Sequence, residues 1–176
     1  MSQTQFVKAP EFSLAGVDGK IYSLQSFADK KALVVIFSCN HCPYAQAYED
    51  RILEIQNDYA ARGVQILAIN SNDDAQYPED SFEAMQKRSA EKGFNFPYLH
   101  DASQSVARAF GASHTPHIFL FDEFRNLRYS GKIDDDWKNP AGVGRRFLRE
   151  ALDHLLSGKN PPEEKTYAIG CSIKWK

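Results

Sequence analysis

The sequence predicts an α/β domain with a mixed β-sheet, because two apolar strands flank an amphipathic helix. Residues 32–37 form a continuous β-branched and aromatic run, typical of a central strand covered on both faces. Residues 44–62 carry apolar side chains at helical spacing, and Gly63 ends that pattern. Residues 64–70 form a second buried strand, so the segment predicts a βαβ unit with a right-handed crossover.

The remaining segments predict further strands and helices of one domain spanning residues 1–176. They are a hairpin over 12–24, helices over 79–92 and 103–110, strands over 96–99 and 117–122, an antiparallel return over 127–133, and a last helix over 141–156. No repeat or linker interrupts them. Gly170 and Trp175 lie in the tail formed by residues 157–176, and we expect this tail to dock on the domain.

Composition excludes several classes of function. The chain has 176 residues, of which 43% are hydrophobic and 25% charged, with a net charge of −2. No basic excess is available to bind nucleic acid or an anionic membrane. The longest strongly apolar run is too short to span a membrane, and residues 1–10 contain no apolar signal segment. We therefore expect a soluble, cytoplasmic protein.

The motif Cys39-Asn40-His41-Cys42 carries the chemistry that the sequence predicts. Three cysteines are too few for a disulfide framework, so a close pair points to catalysis or metal binding. Pro43 favours the first turn of a helix, which places the helix start inside the motif. Amides at a helix N-terminus lower thiol pKa values. We expect Cys39, as the cysteine nearer the helix start, to attack disulfides, Cys42 to resolve the mixed disulfide, and protonated His41 to lower the thiolate pKa further.

Two alternatives remain for the motif. The cysteines could be unreactive core residues, or they could bind copper or zinc together with His41 and His114. A structural zinc site usually has four ligands, and the chain has no second C-x-x-C pair, so the sequence predicts no metal and no cofactor. The acidic run at residues 134–136 lacks calcium-loop spacing and predicts a solvated turn, beside which Trp137 could line a substrate groove.

A family resemblance rests on five sequence features. They are Ala9-Pro10-Glu11-Phe12-Ser13-Leu14, the hairpin, the motif within residues 37–44, Thr115-Pro116, and the ending over residues 169–175. With these features, residues 8–157 resemble the thioredoxin superfamily, and most closely its peroxiredoxin-like branch (the alkyl hydroperoxide reductase/thiol-specific antioxidant group). The resemblance implies a thioredoxin-like fold, with a central mixed β-sheet flanked by helices and an N-terminal β-hairpin extension.

The same resemblance implies how the site is arranged. It implies a cis bond between Thr115 and Pro116 that faces the cysteines and, with His114, forms a substrate-binding edge for an extended segment. Cys39 stands where a peroxiredoxin has threonine, and Pro116 stands where it has arginine, so the residues that polarise a peroxide are missing. Leu33 replaces the buried aspartate of thioredoxin, which makes His114 a candidate proton acceptor.

The sequence therefore predicts a thiol–disulfide oxidoreductase with antioxidant function that acts through Cys39 and Cys42. The expected partners are a disulfide-containing protein or a small thiol, with a thioredoxin- or glutathione-type electron donor. The alternatives are a thiol peroxidase and a metal-binding module. Cys171 is a possible third redox cysteine, because some 15 tail residues at up to about 3.5 Å each can reach any part of the domain.

Overall fold

The computed structural model describes residues 7–176, and a seven-stranded sheet organises them. The strands are β1 (Ser13–Gly16), β2 (Ile21–Ser23), β3 (Ala32–Phe37), β4 (Val64–Asn70), β5 (Tyr98–His100), β6 (His114–Thr115), β7 (His117–Phe121), β8 (Leu127–Gly131) and β9 (Cys171–Ser172). The α-helices are α1 (Pro43–Tyr59), α2 (Phe82–Lys92), α3 (Ser105–Phe110) and α4 (Phe147–Leu156). Short 3₁₀ helices follow β2 and α1 and precede α2 and α4.

The central sheet is mixed, as the sequence predicts. Its strand order is β2-β1-β5-β4-β3-β7-β8, with β6 and β9 forming a separate two-stranded sheet. Strands β3, β4 and β5 run parallel, whereas β7 pairs with β3 in the antiparallel direction. The N-terminal hairpin of β1 and β2 extends the sheet through β5. Strand β3 therefore lies inside the sheet, and the Cys39 motif follows its carboxyl end.

Strand β3 separates two hydrophobic cores, which is why all of its residues are apolar. Side chains of a strand alternate between faces. Ala32, Val34 and Ile36 pack under α1, α2 and α4, while Leu33, Val35 and Phe37 pack under α3 and the 3₁₀ helix that follows β2. Each is no more than 1% exposed. This burial on both faces confirms the central strand predicted from the run.

The last helix begins later than the sequence predicts, at Phe147 rather than at residue 141. Residues before it form a loop closed by the Asp135 carboxylate, which accepts hydrogen bonds from the Gly144 and Arg145 amides at 2.9 and 3.0 Å. These bonds satisfy the amides outside a helix, and Pro140 and Gly142 lie in the short 3₁₀ helix that precedes α4.

The acidic run is not wholly the solvated turn that the sequence predicts. Asp134 is 5% exposed, accepts a hydrogen bond from the Tyr48 hydroxyl at 2.8 Å and pairs with Arg51 at 2.8 Å. A buried carboxylate needs such partners. The run thus fastens the loop before α4 to helix α1.

The tail returns from α4 across the domain and is held at two places. Ser130 exchanges backbone hydrogen bonds with Glu164 and Thr166 at 3.0 and 2.9 Å. Further along, β9 pairs with β6, and Ile173 is buried in the core under α3. Among residues 7–176, no helix is both long and apolar enough to cross a membrane.

Candidate active site

The Cys39 motif lies at the junction between strand β3 and helix α1. The Ser38 amide donates to the Ile69 carbonyl at 2.8 Å, so the junction leaves the sheet beside the end of β4. Helix α1 begins at Pro43, and Cys42 is its N-cap residue. This corrects the prediction that Cys39 is the cysteine nearer the helix start, because the intervening residues are not helical. Stabilisation of negative charge by the helix start therefore acts on Cys42.

Both sulfur atoms face Thr115, across the bend that precedes β7. Cys39 Sγ lies 3.4 Å from Thr115 Oγ1, and Cys42 Sγ lies 3.4 Å from the Thr115 carbonyl oxygen. The Thr115–Pro116 peptide bond is cis, as the resemblance implies. Cys39 is 3% exposed and Cys42 is fully buried. The two thiols and the bend thus form one compact cluster.

The pKa values of the two motif cysteines are shifted in opposite directions. A hydrogen bond from the Cys39 thiol lowers the pKa of Cys42 to about 4, with help from the Cys171 thiol and the Ala45 amide, although burial opposes the shift. The bond to Cys42, burial and the negative charge of Asp80 raise the pKa of Cys39. The reduced pair thus shares one proton, and these contacts favour the negative charge on Cys42.

Asp80 is a buried charge beside the motif that the sequence analysis missed. Its carboxylate accepts hydrogen bonds from the Asn40 amide at 2.7 Å and from the side chains of Asn70 and Asn72 at 3.1 and 3.0 Å. His41 Nδ1 lies against the same carboxylate. These donors stabilise the charge inside the protein and fix the backbone of the motif.

A topological signal could have revealed Asp80. Parallel strands β3 and β4 end at the same edge of the sheet, and functional side chains gather at such carboxyl ends. Asn70 ends β4, and the loop after it leads to Asp80 before helix α2. Nothing in the sequence distinguishes Asp80 from its neighbour Glu79, however, so burial of the one acid required the tertiary structure.

His41 points to Asp80, and its ring stacks on Tyr77 with centroids 5.6 Å apart. Potential ligand atoms of Cys39, His41 and Asp80 lie within 4.8 Å of one another. The metal-binding alternative in the sequence analysis named Cys39, Cys42, His41 and His114 as ligands. Two of these four, Cys39 and His41, belong to this group. Asp80 is already surrounded by hydrogen-bond donors, which accounts for its burial without further partners.

His114 lies on β6, next to Thr115, but its ring hydrogen-bonds to Ser113. His114 Nδ1 is 2.7 Å from the Ser113 hydroxyl. Trp137 packs on Tyr44 with ring centroids 4.1 Å apart, and Tyr44 packs against the two motif cysteines. This aromatic pair therefore forms a wall beside the sulfur cluster.

Cys171 reaches the cluster from the tail. It pairs with Thr115 in the two-stranded sheet of β6 and β9, and its side chain packs against the motif cysteines. Burial and a hydrogen bond to Cys42 raise the pKa of Cys171 to about 11. Cys42 is thus placed between two protonated thiols, those of Cys39 and Cys171.

Comparisons with known proteins agree with this architecture. An uncharacterized conserved protein from Geobacillus kaustophilus has a structure that is 43% identical, with a TM-score of 0.92, covering 97% of this chain and 92% of its own. A thioredoxin family protein from Chlorobium tepidum TLS, described as a thiol:disulfide interchange protein, is 24% identical with a TM-score of 0.63, covering 73% and 87%. This second likeness confirms the predicted thioredoxin-like fold.

A curated relative carries a named activity. Thiol-disulfide oxidoreductase ResA from Halalkalibacterium halodurans is 25% identical over 116 residues, which are 66% of this chain and 61% of that protein. This chain thus matches less than two thirds of that relative's length. Residues 6–144 match the Redoxin family. Because this match covers most of the chain, and because the fold and the C-x-x-C motif agree with it, the protein belongs to the Redoxin family, as the resemblance to the thioredoxin superfamily predicts.

Proposed function

We propose that the protein is a thiol–disulfide oxidoreductase whose redox pair is Cys39 and Cys42. The observation that carries the proposal is the position of the two motif sulfurs, each 3.4 Å from an oxygen atom of Thr115, and the lowered pKa of Cys42 supports it. A thiolate is the nucleophile of disulfide exchange, and a neighbouring thiol completes the reaction. The relative named as a thiol-disulfide oxidoreductase supports the same chemistry.

The reaction transfers two electrons through a mixed disulfide. The thiolate attacks one sulfur of a partner disulfide, forms a new S–S bond and releases the first partner thiolate. The second thiol of the pair then loses its proton and attacks the mixed disulfide. This step forms the Cys39–Cys42 bond and releases the second partner thiolate, so the partner is reduced and the pair oxidised. A thioredoxin- or glutathione-type thiol returns the pair to the reduced state.

In this proposal Cys42 makes the first attack and Cys39 resolves the mixed disulfide, which the lowered pKa of Cys42 and its place as the N-cap of α1 support. This reverses the order predicted from the sequence, because the helix start and the hydrogen-bond donors lie at Cys42. His41 acts indirectly in this proposal. It contacts Asp80, the carboxylate whose negative charge raises the pKa of Cys39.

The substrate-binding edge in this proposal is the strand that contains His114 and Thr115 and ends at Pro116. Thr115 faces both sulfurs, and its backbone pairs with an extended segment, which in this structure is the chain's own β9. A partner peptide with a disulfide would bind by the same strand pairing. The edge therefore orients the partner sulfur towards the motif.

The test is reduction of a disulfide-containing protein, with glutathione as the electron donor, by the wild type and by Cys39→Ser, Cys42→Ser and the control Ser172→Ala. We expect the two cysteine variants to lose turnover and the control to keep it. Peptide mapping should find a trapped mixed disulfide on Cys42 in Cys39→Ser/Cys171→Ser, which lacks both thiols that could resolve it. Trapping only on Cys39 in Cys42→Ser would restore the order predicted from the sequence, and full turnover in both variants would refute the proposal.

A peroxidase is the second candidate, and the acidity of Cys42 is the observation that favours it. By the resemblance, Cys42 stands where a peroxiredoxin has its peroxidatic cysteine, and a low pKa is what such a cysteine needs. The test is loss of thiols after reduced protein is mixed with hydrogen peroxide, beside a free thiol. A rate many orders of magnitude above that of the free thiol would support peroxidase activity, whereas an equal rate would leave disulfide exchange alone.

A cytoplasmic location and an antioxidant role belong to the same proposal. The low number of cysteines, three in the chain, fits a reducing compartment. Cell fractionation and the oxidant sensitivity of a strain that lacks the protein test these two points. Recovery outside the cytoplasm would refute the location, and unchanged sensitivity would refute the antioxidant role.

A further inference from the structure

While β9 is paired with β6, the redox pair proposed above is closed to a protein partner. Cys39 is 3% exposed and Cys42 is fully buried, so neither sulfur offers a surface for a second protein to attack. Disulfide exchange requires access to the attacked sulfur. Cys171 is only half-buried and packs against the pair from the outside. The chain therefore has one partly accessible sulfur in contact with two inaccessible ones.

Backbone pairing fixes Cys171 in that position. Cys171 is the direct partner of Thr115 across an antiparallel pair, and Ser172 is the partner of His114. The Ile173 amide continues the ladder by donating to the Ser113 carbonyl at 3.0 Å. The tail thus binds the edge as an extended peptide would, with a cysteine opposite the residue that contacts both sulfurs.

Gly170, the residue before Cys171, lies directly against the backbone of Thr115. A Cβ atom added at Gly170 would lie 2.0 Å from the Thr115 carbonyl oxygen, so only glycine allows the approach. Beyond the strand, the Lys174 amide donates to Asn72 at 2.9 Å, and the Lys174 carbonyl accepts from Asp73 at 2.8 Å. Cys171 is therefore held between a close backbone contact and a hydrogen-bonded anchor.

From these contacts we infer that Cys171 is a relay thiol, which exchanges disulfides with Cys42 and carries the oxidised state to the surface. This inference rests on the redox pair proposed above. In the exchange Cys171 loses its proton, its sulfur bonds to Cys42 Sγ, and the Cys39–Cys42 bond breaks. The electron pair of that bond remains on Cys39, which takes up the proton. No net oxidation occurs, and the reverse step restores the original disulfide.

The Cys42–Cys171 disulfide offers a partner thiolate an accessible residue to attack, which the buried Cys39–Cys42 disulfide does not. A partner thiolate attacks the half-exposed Cys171 sulfur of the Cys42–Cys171 disulfide and releases Cys42 as a thiolate. Thiols of low pKa are the better leaving groups, and Cys42 has the lowest pKa of the three cysteines. The tail therefore acts as an internal substrate that stands between the redox pair and its partners.

The first test maps disulfides in the Cys39→Ser variant after oxidation with oxidised glutathione. We expect an intramolecular Cys42–Cys171 disulfide, identified by mass spectrometry of alkylated peptides. The matched variant Cys39→Ser/Cys171→Ser should instead accumulate glutathione on Cys42. If glutathione accumulates equally on Cys42 in both variants and Cys171 stays a thiol, the relay is refuted.

The second test measures how fast a protein dithiol reduces the oxidised pair. We expect Cys171→Ser to slow this step about tenfold or more, because the accessible sulfur is lost, and Ser172→Ala to leave it unchanged. Equal rates in the two variants would refute the relay. That result would leave the proposed function intact, since the Cys39–Cys42 pair would still cycle, whereas a pair that never forms a disulfide in the wild type would refute the function itself.

Discussion

Two regions of the molecule bring sulfur to Thr115, and they are held there in different ways. The junction between β3 and α1 places Cys39 and Cys42 by local chain geometry, with a buried strand on one side and a helix cap on the other. The tail strand places Cys171 by backbone pairing with a segment more than 50 residues away in sequence. The first arrangement is buried in the core, whereas the second rests on a short two-stranded ladder, the buried Ile173 side chain and hydrogen bonds at Lys174.

By this difference, the buried Cys39–Cys42 pair holds the disulfide, and Cys171 on the tail passes it to a partner. A buried pair next to fixed hydrogen-bond donors keeps a defined charge, but it excludes partners. A strand held at the surface can leave its position at lower cost, because edge segments with few buried contacts open more readily than a core. The predictions below change one region at a time, beginning with the largest expected effect.

Loss of the Cys42 sulfur, which contacts both Cys39 and Cys171, should affect both regions together. In Cys42→Ser, Cys39 and Cys171 no longer share a neighbour, so we expect disulfide-exchange turnover to fall by about a hundredfold or more. Turnover of a disulfide-containing protein measures this effect. Circular dichroism controls for folding, and turnover above about a tenth of the wild-type rate would contradict a site centred on Cys42.

The pH dependence of stability should distinguish the reduced pair from the oxidised one. Folding lowers the pKa of Cys42 from 9.0 to about 4, so its stabilisation of the reduced protein is complete near pH 9 and is lost as the pH falls through about 4. The raised pKa values of Cys39 and Cys171 reduce stability only above that range. We therefore expect the free energy of unfolding of the reduced protein to fall from neutral pH towards pH 4.

Denaturant unfolding of the reduced wild type at a series of pH values measures this dependence. The oxidised protein, which lacks the Cys42 thiolate, is the control for the other titrating groups. Parallel curves for the two redox states would mean that Cys42 carries no stabilised charge.

Asp80→Asn tests the buried region alone. The substitution preserves shape but removes the acceptor of one buried donor, so we expect a loss of about 1–3 kcal/mol in the free energy of unfolding. Removal of the negative charge should also lower the pKa of Cys39, because that charge raises it. Alkylation of the thiols at a series of pH values measures the shift. The exposed substitution Glu79→Gln is the neighbouring control and should change neither quantity.

Gly170→Ala tests the tail alone and should have the smallest effect on stability. The added Cβ would overlap the Thr115 carbonyl, so we expect the strand to shift at a cost of about 1–2 kcal/mol or less. Alkylation of Cys171 should become faster, while the buried Cys39 and Cys42 keep their slow rates. The control Ser172→Ala should leave all three rates unchanged, and slow alkylation of Cys171 in Gly170→Ala would show that the strand tolerates the overlap.

The sequence by itself determined the framework of the site. The apolar run of β3, the helical spacing after it and Pro43 are local signals, and they placed Cys39 and Cys42 at a strand–helix junction correctly. The family resemblance, rather than a local signal of this sort, identified Thr115-Pro116. Local patterns of this kind depend on neighbours in the chain, which a single sequence displays directly.

Only the tertiary structure decided which cysteine bears the charge, what lies beside it and where the tail goes. The pKa of Cys42 is lowered chiefly by the hydrogen bond from Cys39, with further bonds from Cys171 and the Ala45 amide. The helix also begins just after Cys42, a boundary that a sequence pattern does not fix to one residue. Asp80 and Cys171 reach the pair through segments distant in the chain, brought close by the packing of β4 and the pairing of β9. Contacts between distant segments depend on the whole fold, since a backbone ladder forms without any signal in the side chains that it joins.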